Sequence, residues 1–247
     1  MAESHSPLEQ FSIHRLVPLE LGGPGGIDAS ITNSTVFMLV AVGAAILFLT
    51  LGLGRRELVP GRWQSMVEMS YELIANMVRE NVGNEGRRYF PFIFTLFMFV
   101  LFANMVGMIP FTFTVTSHII VTFALAMAVF VGVTVIGFAR HGLHFLHLFM
   151  PSGAPLWTAP VLIPIELVSY LSRPISLAVR LFANMTVGHV ILKVVGGFVV
   201  TLGIAGVLPG VAFMTVFTGL EVGIAFLQAY IFAILSCVYL NDAIHLH

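Results

Sequence analysis

Apolar runs long enough to cross a lipid bilayer constrain this chain more than any other feature of its sequence. Residues 31–53 carry no charged side chain, and a helix of this length measures about 35 Å, against a hydrocarbon core of about 30 Å. Of all 247 residues, 58% are hydrophobic and only 9% are charged, whereas soluble domains have about 25% charged residues. Because a helix satisfies its own backbone hydrogen bonds in lipid, the sequence predicts an all-α polytopic membrane protein.

We expect one membrane-embedded domain, residues 31–247, preceded by an exposed polar arm, residues 1–30. Residues 62–80 place apolar and polar side chains on opposite faces at helical spacing, which predicts an amphipathic helix at the cytoplasmic interface. A helix over 160–195 would be about 54 Å long, so it has to be strongly tilted or broken. The five predicted crossings are 31–53, a hairpin of 89–110 and 119–139, and a second hairpin of two long tilted helices, 160–195 and 211–240.

Arginines cluster at one end of the predicted crossings. Arg55, Arg56 and Arg62 follow the first crossing, and Arg140 follows the third. Because positive residues favour cytoplasmic loops, we expect the amino terminus outside and the carboxyl terminus in the cytoplasm. The arm shows no import signal, which favours the inner (plasma) membrane of a bacterium over the mitochondrial inner membrane.

Polar side chains form a stripe along the otherwise apolar segment 160–195. The members of the stripe are Glu166, Ser169, Arg173, Ser176, Arg180 and Asn184. At about 100° per residue they lie within about 40° of the Arg180 direction, whereas His189 falls on the opposite face. The last helix carries Glu221 and Gln228 seven residues apart, hence on one face. The two long helices therefore hold most of the polar chemistry of the membrane domain.

Arg180 is the charge in this stripe with the strongest functional implication. A central arginine in lipid costs about 2.5–3.5 kcal/mol on insertion scales, which a salt bridge or snorkelling offsets where its role is structural. Arginine does not release its proton, so in a functional role it is a permanent barrier to protons and an electrostatic partner for a moving carboxylate. Glu166, Glu221 and His189 titrate, and such groups are the usual members of intramembrane proton relays.

The remaining polar residues allow more than one interpretation. Asn184 and Gln228 have two interpretations. Either they hold water and orient a relay, or they form a buried structural network. Arg173 lies near a proline kink at Pro174 and nearer the cytoplasmic end, where support or lipid contact is at least as well motivated as a direct role. Ser176 is assigned a supporting position on the same stripe.

Other function classes have weaker support in the sequence. A formal net charge of −1 and the lack of a basic run argue against a nucleic-acid partner. His141, His144 and His147 follow at steps of three, so two of them could share a metal in a membrane metalloenzyme, but interfacial histidines are the favoured interpretation and no metal or other cofactor is predicted. A secondary ion or solute transporter or channel is the main alternative, although the internal repeats typical of such proteins are not found.

The stretch 172–190 begins S-R-P-I-S-L-A-V-R-L-F-A-N-M-T-V-G-H and resembles the signature of subunit a of the rotary F-type ATP synthase. In that family this subunit is the membrane stator facing the c-ring. The resemblance extends over nearly the whole chain, including the order of the crossings. It implies a proton-translocating stator with two offset aqueous half-channels, coupling proton flow to ring rotation and ATP synthesis, with no nucleotide site in this chain.

The resemblance also implies roles for single residues and partners. Arg180 matches the essential stator arginine, Asn184 its companion one turn on, and Gln228 the glutamine of the final helix, while Glu166 matches a carboxylate of the cytoplasmic-side half-channel. His189 and Glu221 stand where some bacterial members have glutamate and histidine, so the pair is retained in exchanged order. The stripe around Arg180 is expected to face the rotor, with His189 turned toward the last helix. The implied partners are the c-ring subunits, b-type subunits of the peripheral stalk, the lipid membrane and protons.

Overall fold

The structure, a computed structural model, describes residues 13–18, 20–21, 27–28, 30–54, 59–109, 112–149 and 158–245. The predicted arm falls only partly within these ranges, and Arg55 and Arg56 lie outside them. Two short antiparallel pairings, one within the arm and one joining it to the start of the predicted first crossing, were not predicted. Strand β1 (Arg15–Val17) pairs with β4 (Ile31–Thr32), and β2 (Glu20–Leu21) pairs with β3 (Ile27–Asp28).

Helices dominate the described part of the chain, and the all-α polytopic class is confirmed. Within the described residues, five helices are long and apolar enough to cross a membrane. They are α1 (Asn33–Leu53), α3 (Phe90–Gly107), α4 (Ile119–His141), α5 (Ala159–Leu202) and α6 (Ile204–Ile244). The protein is therefore a multi-pass membrane protein.

Helix α2 (Arg62–Val82) is the amphipathic element between α1 and α3. Val67, Ile74 and Met77 are buried against the other helices, whereas Trp63 is 57% exposed. A short 3-10 helix (Asn84–Arg88) joins α2 to α3. One apolar edge of α2 therefore packs on the protein while another, with Trp63, is left for the membrane interface.

Helix α6 packs along α3 and α5 through its small residues. Ala225, Ala229 and Ala233 are fully buried, and Phe97 of α3 and Leu181 of α5 lie in the same core. Small side chains let helix backbones approach closely, which is the usual basis of helix packing in membranes. The core thereby fixes the polar residues of α5 and α6 relative to one another.

The junction of α5 and α6 differs from the prediction. The predicted ends at 195 and 211 are wrong, because α5 continues to Leu202 and α6 begins at Ile204. Gly203 alone makes the break, with φ 59°, a left-handed conformation open to glycine. Pro209 lies in the second turn of α6 and does not form the turn itself. At about 66 Å, α5 is far longer than a perpendicular crossing requires, as the prediction of a tilted helix demands.

Candidate functional site

The structure brings His189 of α5 and Glu221 of α6 together in the membrane domain. The His189 Nδ1 atom lies 3.5 Å from Glu221 Oε1, and both side chains are largely buried, with exposed fractions of 12% and 3%. On the other edge of the imidazole ring, Nε2 lies 2.8 Å from the hydroxyl of Thr114. The histidine is thus held between a carboxylate and a hydroxyl group.

Thr114 lies between the Gly107 carbonyl oxygen and His189. Its hydroxyl donates to the Gly107 carbonyl oxygen at 3.0 Å, and with that proton used its oxygen accepts from Nε2–H in one tautomer of the imidazole. In that tautomer Nδ1 is unprotonated and faces Glu221, whose Oε1 has no hydrogen-bond partner among the described residues. A titratable imidazole and a titratable carboxyl group therefore lie side by side.

Gly188 makes the approach of Glu221 to α5 possible. A β-carbon at this position would lie 2.2 Å from Glu221 Oε1 and 3.0 Å from its carboxyl carbon. Only glycine leaves room for the carboxylate directly against the α5 backbone. This contact explains how Glu221 reaches the neighbouring His189.

A second polar pair, Asn184 and Gln228, joins the same two helices. Asn184 Nδ2 donates to Gln228 Oε1 at 2.9 Å. Gln228 is only 2% exposed, yet its Nε2 has no hydrogen-bond partner in the described part of the chain. Seven residues on α6 separate Gln228 from Glu221, about 10 Å along the axis. The two pairs thus form successive polar levels between α5 and α6.

Asn104 and Thr114 belong to this polar region but were missed in the sequence analysis. Asn104 of α3 donates to the Ala225 carbonyl oxygen at 3.3 Å, while its own buried Oδ1 has no partner among the described residues. Buried polar groups are normally paired or hydrated, so Asn104 and Gln228 offer two open positions for water. The one available sequence signal was an asparagine within the apolar run of α3.

Arg180 lies on the exposed face of α5, one turn before Asn184. Its neighbours Leu177, Ala178 and Leu181 are buried, which fixes the helix orientation. Among the described residues, its guanidinium has no hydrogen-bond or ion-pair partner. The charge is therefore available to a group outside this chain.

Arg173, on the same helix, has an ion-pair partner and two aromatic contacts within the chain. Its Nη1 atom lies 2.8 Å from Asp242 Oδ2 of α6, and its guanidinium lies 5.5 Å from the ring centre of Tyr170 and 5.1 Å from that of Tyr239. The Tyr170 hydroxyl in turn lies 2.7 Å from that of Thr134 on α4. Arg173 thus ties α4, α5 and α6 together near one end of the bundle.

The predicted stripe does not share one environment. Arg173 and Asn184 contact α6, whereas Ser176 is exposed with Arg180, and Glu166 is half-buried without a partner in the described residues. Two members of the stripe, Arg173 and Asn184, therefore contact the last helix in addition to lying near Arg180. An arc of about 80° is wide enough for its edge to lie against α6.

No group of three or more potential metal ligands is found among the described residues. The histidines at the end of α4 and after it therefore form no metal cluster there. His141 Nε2 lies 3.0 Å from the Ile244 carbonyl oxygen, and His144 is exposed. The side chain of His147 lies outside the described residues. The observed contact of His141 is to the backbone of α6.

Comparisons with known proteins agree with one another. The sequence profile described as ATP synthase A chain matches residues 35–241. A protein of Paramagnetospirillum magneticum named ATP synthase subunit a is 63% identical over 248 residues, covering 98% of this chain and 99% of its own. Proteins with the same name from Rhodospirillum rubrum and Pelagibacter ubique are 58% and 52% identical, each over 98% of this chain and covering 100% and 98% of their own lengths.

Proposed function

The chain belongs to the ATP synthase A chain family, and we propose that Arg180 is the charge barrier between two proton half-channels. As a member of this family, it is the proton-channel stator subunit of the F-type ATP synthase and part of that complex. ATP chemistry takes place elsewhere in the complex, so the task of this subunit is to control proton access.

The observation that carries the proposal is the unpartnered guanidinium of Arg180 between titratable groups on the same helix. His189 lies nine residues from Arg180, about 14 Å along α5, and Glu166 lies fourteen residues away in the other direction, about 21 Å. A cation that keeps its proton repels protons. Arg180 is therefore placed to prevent a direct path between the two ends.

In the proposed pathway, protons enter through the His189–Glu221 pair. The Nδ1 atom and the carboxylate exchange one proton, and Asn184, Gln228 and Asn104 hold the water that carries it on. The proton is taken up by a carboxylate of the c-ring. After rotation, Arg180 favours the ionised form of the returning carboxylate, and the proton leaves near Glu166.

The partners and orientation follow from the same proposal. The exposed Arg180 face of α5 is turned toward the c-ring, with Ser176 beside it, and the other partners are b-type peripheral-stalk subunits. Arg62, Arg88 and Arg140 mark the cytoplasmic side. The amino terminus is then outside and the carboxyl terminus inside, in the inner membrane of a bacterium.

Replacing Arg180 with Ala tests the proposal. We expect proton-driven ATP synthesis to be abolished while the subunit still assembles, because Arg180 has no hydrogen bond or ion pair to lose in the described part of the chain. Arg88→Ala is a suitable control, since it removes an exposed charge far from the pathway. Normal coupled synthesis by the Arg180→Ala complex, measured in inverted vesicles, would refute the assigned role.

A further inference from the structure

A cavity of about 390 Å³ lies between the end of α2 and the start of α3, outside the proton pathway. Arg79 of α2 and Arg87 of the following 3-10 helix line it, together with Asn84. Two guanidinium groups and one side-chain amide therefore border the same space. All three are hydrogen-bond donors, and guanidinium is well suited to bind phosphate.

These donors are not used within the described part of the chain. Neither Arg79 nor Arg87 has an ion-pair or hydrogen-bond partner there, and neither does the Asn84 side chain. This differs from Arg140, which pairs with Glu85, and from Arg173, which pairs with Asp242. Within the described residues, the positive charge in this cavity is thus uncompensated, whereas Arg140 and Arg173 are paired with carboxylates.

Nearby carboxylates line a neighbouring cavity. Glu80 and Glu85 line it with Asn241 and His245, and it shares Gly83 and Asn84 with the arginine cavity. The described lining of the arginine cavity itself contains no carboxylate. Acidic and basic side chains therefore line adjacent cavities that meet at Gly83 and Asn84, and the basic cavity favours an anion.

The rest of the wall is apolar and aromatic. Tyr71 and Phe90 pack edge to face with ring centres 4.8 Å apart, and Val78 and Pro91 complete this side. The cavity lies where α3, a candidate membrane span, begins, and aromatic rings are typical of that depth in a bilayer. A ligand here meets donors at one end and apolar surface at the other.

From this combination we infer that the cavity binds the headgroup of an anionic phospholipid. The phosphate lies between Arg79 and Arg87, the Asn84 amide donates to it, and an acyl chain follows Phe90 into the bilayer. Basic pockets between helices at a membrane surface bind such headgroups. A free phosphate would use the arginines but leave the apolar wall uncovered.

The test uses the complete complex in phosphatidylcholine nanodiscs containing a photoactivatable phosphatidylglycerol, with crosslinked peptides quantified. We expect crosslinks within residues 71–91. In Arg79→Gln and in Arg87→Gln, the concentration of photoactivatable phosphatidylglycerol that gives half-maximal crosslinking should rise about fivefold. This factor corresponds to about 1 kcal/mol per basic residue. Arg79→Lys with Arg87→Lys should retain more binding than the double glutamine variant.

A double variant with the same charge loss is the control. Arg62→Gln with Arg88→Gln removes two exposed arginines that do not line the cavity, so binding should be unchanged. Equal loss in this control would overturn the inference in favour of general surface charge. Equally strong displacement by inorganic phosphate, or a crosslink from this segment to another subunit in place of lipid, would overturn it in favour of a free anion or a protein partner.

Discussion

Gly188→Ala tests whether proton transfer depends on the close approach of Glu221 to α5. A β-carbon at Gly188 would lie 2.2 Å from Glu221 Oε1, whereas ordinary contacts begin at 3.4 Å. The carboxylate therefore has to retreat by about 1.2 Å, because the helix backbone is fixed by the buried residues around it. The Nδ1–Oε1 distance of 3.5 Å would then exceed 4 Å.

The expected loss follows from the sensitivity of such steps to distance. A misplacement of about 1 Å can reduce the rate of a positioned reaction about 10²-fold. We therefore expect passive proton conductance through the membrane sector to fall between about tenfold and a hundredfold. Assembly should persist, since the displaced atoms are the end of a flexible side chain. Conductance is measured by dye-reported proton uptake into liposomes under a potassium diffusion potential.

Gly197→Ala is the matched control, because a β-carbon at that position on the same helix meets nothing within 4 Å. Both variants gain the same helix propensity, so only the contact with Glu221 differs. If Gly188→Ala conducts protons as well as Gly197→Ala does, the close approach is unimportant and the reasoning fails.

Three further predictions concern charged groups. The exchange His189→Glu with Glu221→His should retain more proton-driven ATP synthesis than either single change, and an exchange no better than the singles would show that they are not a coupled pair. Arg173→Ala should lower the free energy of unfolding by about 2–4 kcal/mol, since it breaks an ion pair and two aromatic contacts. In thermal scans of the purified complex, Arg173→Lys should lose less because it keeps the charge, and equal loss would exclude a contribution of the ion pair. Arg140 beside Glu85 holds the pKa of that carboxyl below its usual 4.5. The stability that wild type has over Glu85→Gln is therefore present at neutral pH and is lost as the pH falls below about 4.5 through the lowered pKa. A difference in stability between the two proteins that widens on acidification would contradict this.

The helices and the membrane class follow directly from the sequence, because apolar length and helical periodicity are local properties. The ends of α5 and α6 did not follow, since Pro209 is a strong local signal whereas the actual break depends on the backbone angle of Gly203. A proline early in a helix is compatible with continuation when the preceding turn tolerates the missing donor. Local composition therefore located the hairpin but misplaced its turn.

The contacts between distant segments explain what the sequence could not provide. Thr114 is one of several threonines in a short polar turn, and nothing in that turn indicates that its hydroxyl meets His189, 75 residues away. Glu221 and Gln228 were identifiable because a seven-residue spacing places them on one face. Asn104 could not be assigned to the site from the sequence, because only the packing of α3 on α6 shows that its Oδ1 atom is buried without a partner among the described residues.

Arg173 and Arg180 have equal charge and lie seven residues apart on one helix, yet only Arg173 has an ion-pair partner among the described residues. Arg173 is compensated by Asp242 and enclosed by two tyrosine rings, which fixes α5 against α6. Arg180 has no such partner among the described residues, so its energetic cost in the membrane is left to snorkelling, water or a group outside this chain. The rigid attachment of the first arginine also holds the second at a fixed depth. A passing carboxylate would then meet the Arg180 charge at the same level in every cycle, which is what a barrier between two half-channels requires.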